Sequence, residues 1–177
     1  MTSQVAGWYW AEGDPEGTKR YWNGESWNPG IVGLEPWRRV GARLIDGAIM
    51  LVFYLLFVWI FGADFRFNYL TALLFTIIAV FYEVGFVTTR GGTPGKLILG
   101  FQIVEVETGQ IPPRGSIASV RWSPALVQVI PYLGVYVTLA VYGICLYWIF
   151  SDPCCRTVYD RVAKTYVVRM PDRGLVL

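Results

Sequence analysis

The chain has 177 residues, of which 54% are hydrophobic and 16% aromatic, and its mean hydropathy is +0.42. Charged residues make up only 16%, and the formal net charge is +2. This composition is more apolar than that of a typical soluble domain and too weakly basic for a nucleic-acid-binding protein. Because the apolar residues lie in long blocks, we predict a membrane protein that has lipid but no nucleic acid as a partner.

The chain contains no histidine and three cysteines. The lack of histidine excludes haem with histidine ligation, histidine-based zinc sites and a histidine general base. Cys145 lies in an apolar segment, and Cys154 and Cys155 are adjacent, so their spacing indicates neither a disulfide framework nor a metal site. We predict no metal, no cofactor and free thiols in a reducing compartment. Residues 1–6 also lack the pattern of a signal peptide.

Residues 1–30 are predicted to form a small aromatic β-meander of three strands. The expected strands are residues 7–10, 19–22 and 25–27, separated by turn sequences that include Asn23-Gly24. Because so short a module cannot bury a conventional core, its Trp and Tyr side chains would supply most of the packing area. The pattern Gly-Trp-Tyr, Asp-Pro, Arg-Tyr-Trp-Asn-Gly and Trp resembles a short bacterial domain of unknown function.

Two interpretations of these aromatic residues stay open. In the first, they serve only as a miniature core. In the second, which is a WW-like layout, Trp8 packs against Pro29 while Tyr21 and Trp22 lie on an exposed face. Such a face could dock a proline-rich peptide.

Residues 31–36 are predicted to be a linker, after which the first membrane helix covers residues 40–61, enough to cross about 30 Å of hydrocarbon. Arg39, Arg43 and Asp46 fall on one stripe of this helix, at i, i+4 and i+7. A carboxylate inside a membrane span costs about 2.5–3.5 kcal/mol on insertion scales unless it finds a partner. We expect Arg43 to pair locally with Asp46, and Arg39 to reach Asp46 or another cytosolic group.

The second predicted membrane helix covers residues 69–87 and carries Glu83 near its end. Because the two helices are antiparallel, Glu83 and Asp46 are expected at similar depths on the same side of the bilayer. The following Gly92-Thr93-Pro94-Gly95-Lys96 lacks the spacing of a phosphate-binding loop, so we predict a tight turn at the membrane face rather than a nucleotide site.

These motifs together resemble the RDD family of bacterial membrane proteins, over residues 37–169. The family's arginine and aspartate of the first helix match Arg39 and Asp46, and its Gly-x-Thr-x-Gly-Lys segment is similar to the sequence around Lys96. Its late Asp-Arg-x-Ala-x-Thr motif matches residues 160–165, and Tyr159 stands where the family often has histidine. The resemblance implies a multi-pass membrane protein, with transport as a suggested activity.

Residues 116–130 are helical in character but carry Arg121 and are broken by Pro124, whereas residues 132–150 are apolar enough to span. If only the second segment crosses, the basic tail lies outside, which the positive-inside rule disfavours. If the first segment enters the membrane as a short broken leg, both chain ends stay inside, and Asp160 approaches the arginines of the first helix. We favour this topology; a surface-lying amphipathic helix is the alternative.

The fold class predicted is mainly α: a multi-pass membrane helical bundle with three spanning helices plus the broken or amphipathic helix. A small N-terminal three-stranded β module precedes it. Residues 166–168 are expected to pair with residues 102–104 in a small cytosolic β cap of two or three strands. The membrane domain is then residues 37–170, with a tail at 171–177. An intramembrane charge cluster is predicted from Arg39, Arg43, Asp46, Glu83, Lys96, Arg121 and Asp160.

Two functions are weighed for this chain. The favoured one is a non-catalytic accessory or assembly subunit of a larger bacterial membrane complex, such as a respiratory or cell-envelope assembly, with other membrane subunits as partners. The alternative is transport of an ion or small solute through a homo-oligomer that uses the intramembrane carboxylates. No nucleophile–base pair is visible, so we do not expect an enzyme. We predict a multi-pass protein of the bacterial plasma membrane with a cytosolic N-terminus.

Overall fold

The computed structural model describes residues 5–33, 35–61, 69–130 and 133–170. The chain is mainly helical, with a five-stranded antiparallel sheet at one end of the helices. In chain order the elements are β1 (Gly7–Tyr9), β2 (Lys19–Trp22), β3 (Trp27–Val32), α1 (Pro36–Phe61), α2 (Tyr69–Arg90), α3 (Pro94–Ile98), β4 (Phe101–Glu105), α4 (Gly115–Trp122), a 3₁₀ helix (Ser123–Val129), α5 (Leu133–Ser151), α6 (Val158–Val162) and β5 (Thr165–Arg169).

The sheet combines strands from both ends of the chain in the order β1-β2-β3-β5-β4. The predicted pairing of residues 102–104 with residues 166–168 is confirmed, since Gln102 lies opposite Val168 and Val104 opposite Tyr166. On the other side of β5, Ile31 of β3 lies opposite Arg169. The predicted N-terminal module and cytosolic cap therefore form one sheet. The predicted linker is correspondingly shorter, because β3 continues to Val32 and α1 begins at Pro36.

Trp8 connects the N-terminal strands to the rest of the sheet. Its ring lies 5.3 Å from that of Tyr21 and 4.8 Å from that of Tyr166, and its Nε1–H donates to the carbonyl of Val106 at 2.8 Å. The Tyr21 hydroxyl donates to the carbonyl of Glu107 at 2.9 Å, and Tyr21 is only 7% exposed. The prediction that Tyr21 lies on an exposed face is therefore wrong: its side chain is used to join two parts of the sheet.

The helices present apolar side chains on their outer surfaces. Two of them are long and apolar enough to cross a membrane by length and composition, Pro36–Ile60 with a mean hydropathy of 2.0 and Leu73–Arg90 with 1.5. The apolar part of α5, Tyr136–Ser151, is shorter than these two helices. Unlike the core helix of a soluble protein, α1 is little covered by the rest of the chain, and Trp59 at its far end is 82% exposed.

The helices run alternately away from and toward the sheet. α1 leaves from β3, and α2 ends beside β4, where Gly91 adopts a left-handed conformation (φ 79°) and its carbonyl accepts from Ile103 N at 2.6 Å. α4 and the 3₁₀ helix follow, with the 3₁₀ helix against α5, which returns to α6 and β5. Because β3 and β5 are paired, both ends of the described chain lie at the same end of the helices. Among the described residues, the C-terminal strand β5 therefore lies beside the N-terminal strands and not at the far end of the helices.

Gly109→Ala tests how firmly the N-terminal strands are joined to the rest. Gly109 has a φ of 68°, and a Cβ there would overlap the Tyr21 ring. We expect this variant to lose about 1–3 kcal/mol of stability beyond the cost of the left-handed backbone, because the Tyr21 ring must shift. Gly13→Ala is the matched control, since Gly13 also has a positive φ (92°) but open space around it. Thermal unfolding of the two purified variants in detergent measures the difference; equal melting temperatures would contradict the packing described.

Candidate functional site

The seven charged residues predicted from the sequence lie together where the helices meet the sheet. We call these seven residues the charge cluster. Five helices contribute to it: Arg39, Arg43 and Asp46 come from α1, Glu83 from α2, Lys96 from α3, Arg121 from α4 and Asp160 from α6.

Asp160 is the most completely buried member, with 0% exposure. Arg39 Nη2 donates to its Oδ2 at 2.9 Å, and Arg121 Nη2 donates to its Oδ1 at 2.7 Å. The backbone N–H and the hydroxyl of Thr157 also donate to Oδ2, and Thr157 and Asp160 together form the capping box that begins α6. Burial alone would raise the pKa of Asp160, but Arg121 and Arg39 hold that pKa well below its usual value.

Asp46 is 3% exposed and accepts three hydrogen bonds from groups that the sequence analysis did not assign to it. The Thr93 hydroxyl donates at 2.6 Å, Gly95 N at 2.8 Å and the Tyr82 hydroxyl at 2.9 Å. Lys96 Nζ lies 3.8 Å away and completes the surroundings of this carboxylate. Asp46 therefore binds the turn that leads into α3.

The predicted local pair between Arg43 and Asp46 is wrong. Arg43 Nη1 instead approaches Glu83 Oε2 at 3.5 Å, because donors from the α3 turn and α2 already surround Asp46. The close approach of this turn requires glycine: a Cβ on Gly95 would overlap the Ala42 carbonyl oxygen and lie 2.8 Å from Asp46 Oδ1. The hydroxyl–proline–glycine spacing in Thr93-Pro94-Gly95 was the sequence signal that could have indicated a carboxylate partner.

Glu83 lies between two arginines, since Arg121 Nη1 approaches its Oε1 at 3.3 Å and Arg43 its Oε2. The Arg43 guanidinium also lies over the rings of Tyr142 and Tyr159, at 5.8 and 5.9 Å from their centroids. Tyr159, at the position where the family often has histidine, therefore faces the cluster through its ring.

A cavity of about 80 Å³ lies within the cluster. Its charged lining consists of Arg39, Arg43, Glu83, Lys96 and Arg121. The space is enough for a few water molecules, each of which needs roughly 10–15 Å³. Burial lowers the pKa of Lys96 to about 8. The charge of Glu83 acts in the opposite direction, and the nearby arginines add to the lowering.

The two residues predicted to dock a peptide lie in β2, outside the charge cluster. Tyr21 is buried, and Trp22 is half-buried with its ring 5.1 Å from that of Trp27. Across the described parts of the chain, no group of three or more Cys, Asp or Glu side chains is arranged to hold a metal ion.

Asp160→Asn tests how much the cluster contributes to stability. Asparagine keeps the size of the side chain but removes the charge that Arg39 and Arg121 share. We therefore expect a loss of about 3–5 kcal/mol, the usual cost of leaving a buried charge without its partner. Glu107→Gln is the control, because it breaks the exposed pair with Lys164 (70% and 74% exposed) and should leave the melting temperature unchanged. Similar thermal unfolding of both variants in detergent would show that the buried network contributes little.

Comparison with known proteins adds one result to this geometry. No curated protein and no solved structure matches the chain. A model of the RDD family matches residues 35–164, which includes all seven residues of the charge cluster and begins after the three N-terminal strands. The resemblance of those strands to a separate short domain therefore stays a prediction. Since the match covers most of the sequence, the chain belongs to the RDD family.

Proposed function

We propose that this protein is a non-catalytic, multi-pass protein of the bacterial plasma membrane that serves as an accessory or assembly subunit of a larger membrane complex. The observation that carries the proposal is the uncovered apolar surface of α1, along which few residues are buried. Lipid covers such a surface in part, and a neighbouring membrane subunit would cover the rest. No catalytic role is assigned to the charge cluster, whose members mainly bind one another.

In this proposal α1, α2 and α5 cross the bilayer, while α4 and the 3₁₀ helix together form a short, broken helical segment that enters the membrane. α1 has 26 residues and would extend about 39 Å, and α5 has 19 residues and would extend about 28 Å. α4 with the 3₁₀ helix would extend about 26 Å. The sheet and the N-terminus would then lie in the cytosol, because Arg38, Arg90 and Arg156 are all at the sheet end of the helices.

The saturation of the buried charges supports a structural role for the cluster. Each of its three carboxylates has at least two partners on other elements, which either donate a hydrogen bond to it or form an ion pair with it. A metal cation would have to displace an arginine or lysine before it could bind these oxygens. Among buried side-chain polar atoms in the described residues, the hydroxyl of Thr165 alone lacks a partner. The cluster therefore resembles a joint between helices more than a cation pathway.

A second contact surface for partner subunits is available on the N-terminal strands. Trp10 is 54% exposed and Trp27 is 37% exposed, and Trp27 packs on Trp22. Exposed tryptophans are frequent anchors of protein interfaces, since each can bury a large area on a partner. This surface replaces the one predicted around Tyr21.

Purification from native membranes in a mild detergent tests the accessory role. We expect the tagged chain to bring down a partner at fixed stoichiometry, and Trp27→Ala to reduce its recovery at least fivefold because the exposed indole is lost. Glu25→Ala, which changes another exposed residue of the same hairpin, is the control and should retain the partner. Quantitative mass spectrometry gives the ratio. Recovery of the chain alone, or of a homo-oligomer only, would contradict the proposal.

Transport through a homo-oligomer is the second candidate, and the cavity beside Glu83 and Lys96 is the observation that favours it. Intramembrane ionisable residues next to water-sized space often mark ion paths. Flux measurements on reconstituted vesicles separate the two functions. Under the accessory role, we expect vesicles with the wild-type protein to match protein-free vesicles. Flux that is present with wild type and abolished by Asp46→Asn would favour transport instead.

A further inference from the structure

We propose that the charge cluster binds the phosphate of an anionic phospholipid, whose acyl chain lies in an apolar groove between α1 and α2. The inference depends on the membrane placement given above, because the sheet end of the helices must then lie at the level of the lipid headgroups. It does not depend on the accessory role. The cluster has more cations than carboxylates, two of its cations lie farther from their carboxylate partners than the others, and an apolar groove lies beside them.

The cluster carries an excess of positive charge. Its four cationic side chains face three carboxylates. Four of the seven members are buried, namely Arg39, Asp46, Arg121 and Asp160, whereas the Arg43 side chain is 40% exposed. Because every cation has a carboxylate within 3.8 Å, the excess is one positive charge shared by the cluster, and an anion that enters it would be attracted to that excess. The cavity of about 80 Å³ gives such an anion a place among the cations.

Arg43 and Lys96 are the two cations that can turn toward an added anion. Arg39 and Arg121 hold Asp160 at 2.9 and 2.7 Å. The Arg43–Glu83 and Lys96–Asp46 distances are longer, 3.5 and 3.8 Å, and both cations line the cavity. Lys96 also donates to the neutral Thr93 hydroxyl at 3.0 Å, which supplies no counter-charge. The Arg43 side chain is also 40% exposed.

Glu83 would not be left unpaired by this change, because Arg121 still approaches it at 3.3 Å. Arginine binds phosphate oxygens through two parallel N–H donors, and lysine adds a point charge. Together, Arg43 and Lys96 therefore provide the donors that a phosphate monoanion or phosphodiester requires.

The groove indicates that the phosphate belongs to a lipid. It has a volume of about 420 Å³ and runs between α1 and α2, with the 3₁₀ helix and α5 at its side. Arg43, Glu83 and Tyr142 line both the groove and the cavity, so the two spaces adjoin. Asp46 and Tyr82, which are hydrogen-bonded to each other, also line the groove. The rest of its lining is apolar, from Gly47, Met50, Phe75, Ala79, Trp122 and Ala125. A charged end followed by an apolar channel fits an amphiphile better than a free phosphate ion.

The test uses the purified full-length protein in a mild detergent, titrated with phosphatidylglycerol. Native mass spectrometry counts bound lipids, and the thermal shift measures binding. We expect one high-affinity lipid per chain, with Arg43→Gln and Lys96→Gln each weakening it at least tenfold. Arg38→Gln is the matched control, because Arg38 lies at the same end of α1 but is exposed and paired with Glu35. It should bind as wild type does. If Arg43→Gln does not fold, the affinity of Lys96→Gln for the lipid decides the test by itself.

Three further ligands distinguish the sources of the phosphate and the contribution of the groove. Inorganic phosphate at millimolar concentration should not displace the lipid; displacement would show a site for free phosphate and overturn the proposal. Equal binding of phosphatidylcholine or diacylglycerol would show that the groove alone binds acyl chains. If Arg38→Gln and Arg43→Gln weaken lipid binding equally, the lipid is attracted only by the general positive charge of the surface, and the proposal is overturned. Failure of these binding tests with partner recovery unchanged would leave the accessory role standing.

Discussion

The buried contact of Asp160 with Arg39 and Arg121 is the interaction on which the arrangement of the helices depends. It joins α1, α4 and α6, which are separated by many residues in the chain. Removing such charges from water is expensive, and the cost is recovered only when every partner is in place. The same carboxylate also caps α6 through Thr157, so the start of α6 and the position of β5 after it follow from one set of hydrogen bonds.

A second group of hydrogen bonds, around Asp46, fixes the position of the segment that connects α2 to β4. The turn that begins α3 approaches α1 so closely that only glycine fits at position 95, and its Thr93 hydroxyl and Gly95 amide both donate to Asp46. β4 then pairs with β5, and β5 with β3, so the sheet closes the same end of the molecule that the charges hold together. Charge pairing and sheet pairing thus support one architecture.

These features separate the chemistry of the cluster from the surfaces available to partners. The carboxylates accept from the protein's own donors, whereas two cations beside the cavity, Arg43 and Lys96, lie farther from their carboxylate partners, at 3.5 and 3.8 Å. This asymmetry favours an anionic ligand over a metal cation. The apolar helices and the exposed tryptophans are separate surfaces, so a bound lipid and a protein partner could be present together. A lipid at the cluster would then support the bundle to which the proposed partner subunits would attach.

The sequence by itself determined the apolar helices, the residues of the charge cluster, the pairing of residues 102–104 with 166–168 and the family. These follow from local patterns: long apolar blocks, helical spacing of charges, alternation in strands, and motifs in a fixed order. Only the tertiary structure decided that Arg43 pairs with Glu83, that Asp46 accepts from the α3 turn, and that Tyr21 is buried. Helical spacing shows which side chains share a face, but it does not show which distant backbone will approach that face. For the same reason the sequence could not show that the N-terminal strands and the C-terminal strand pair in one sheet.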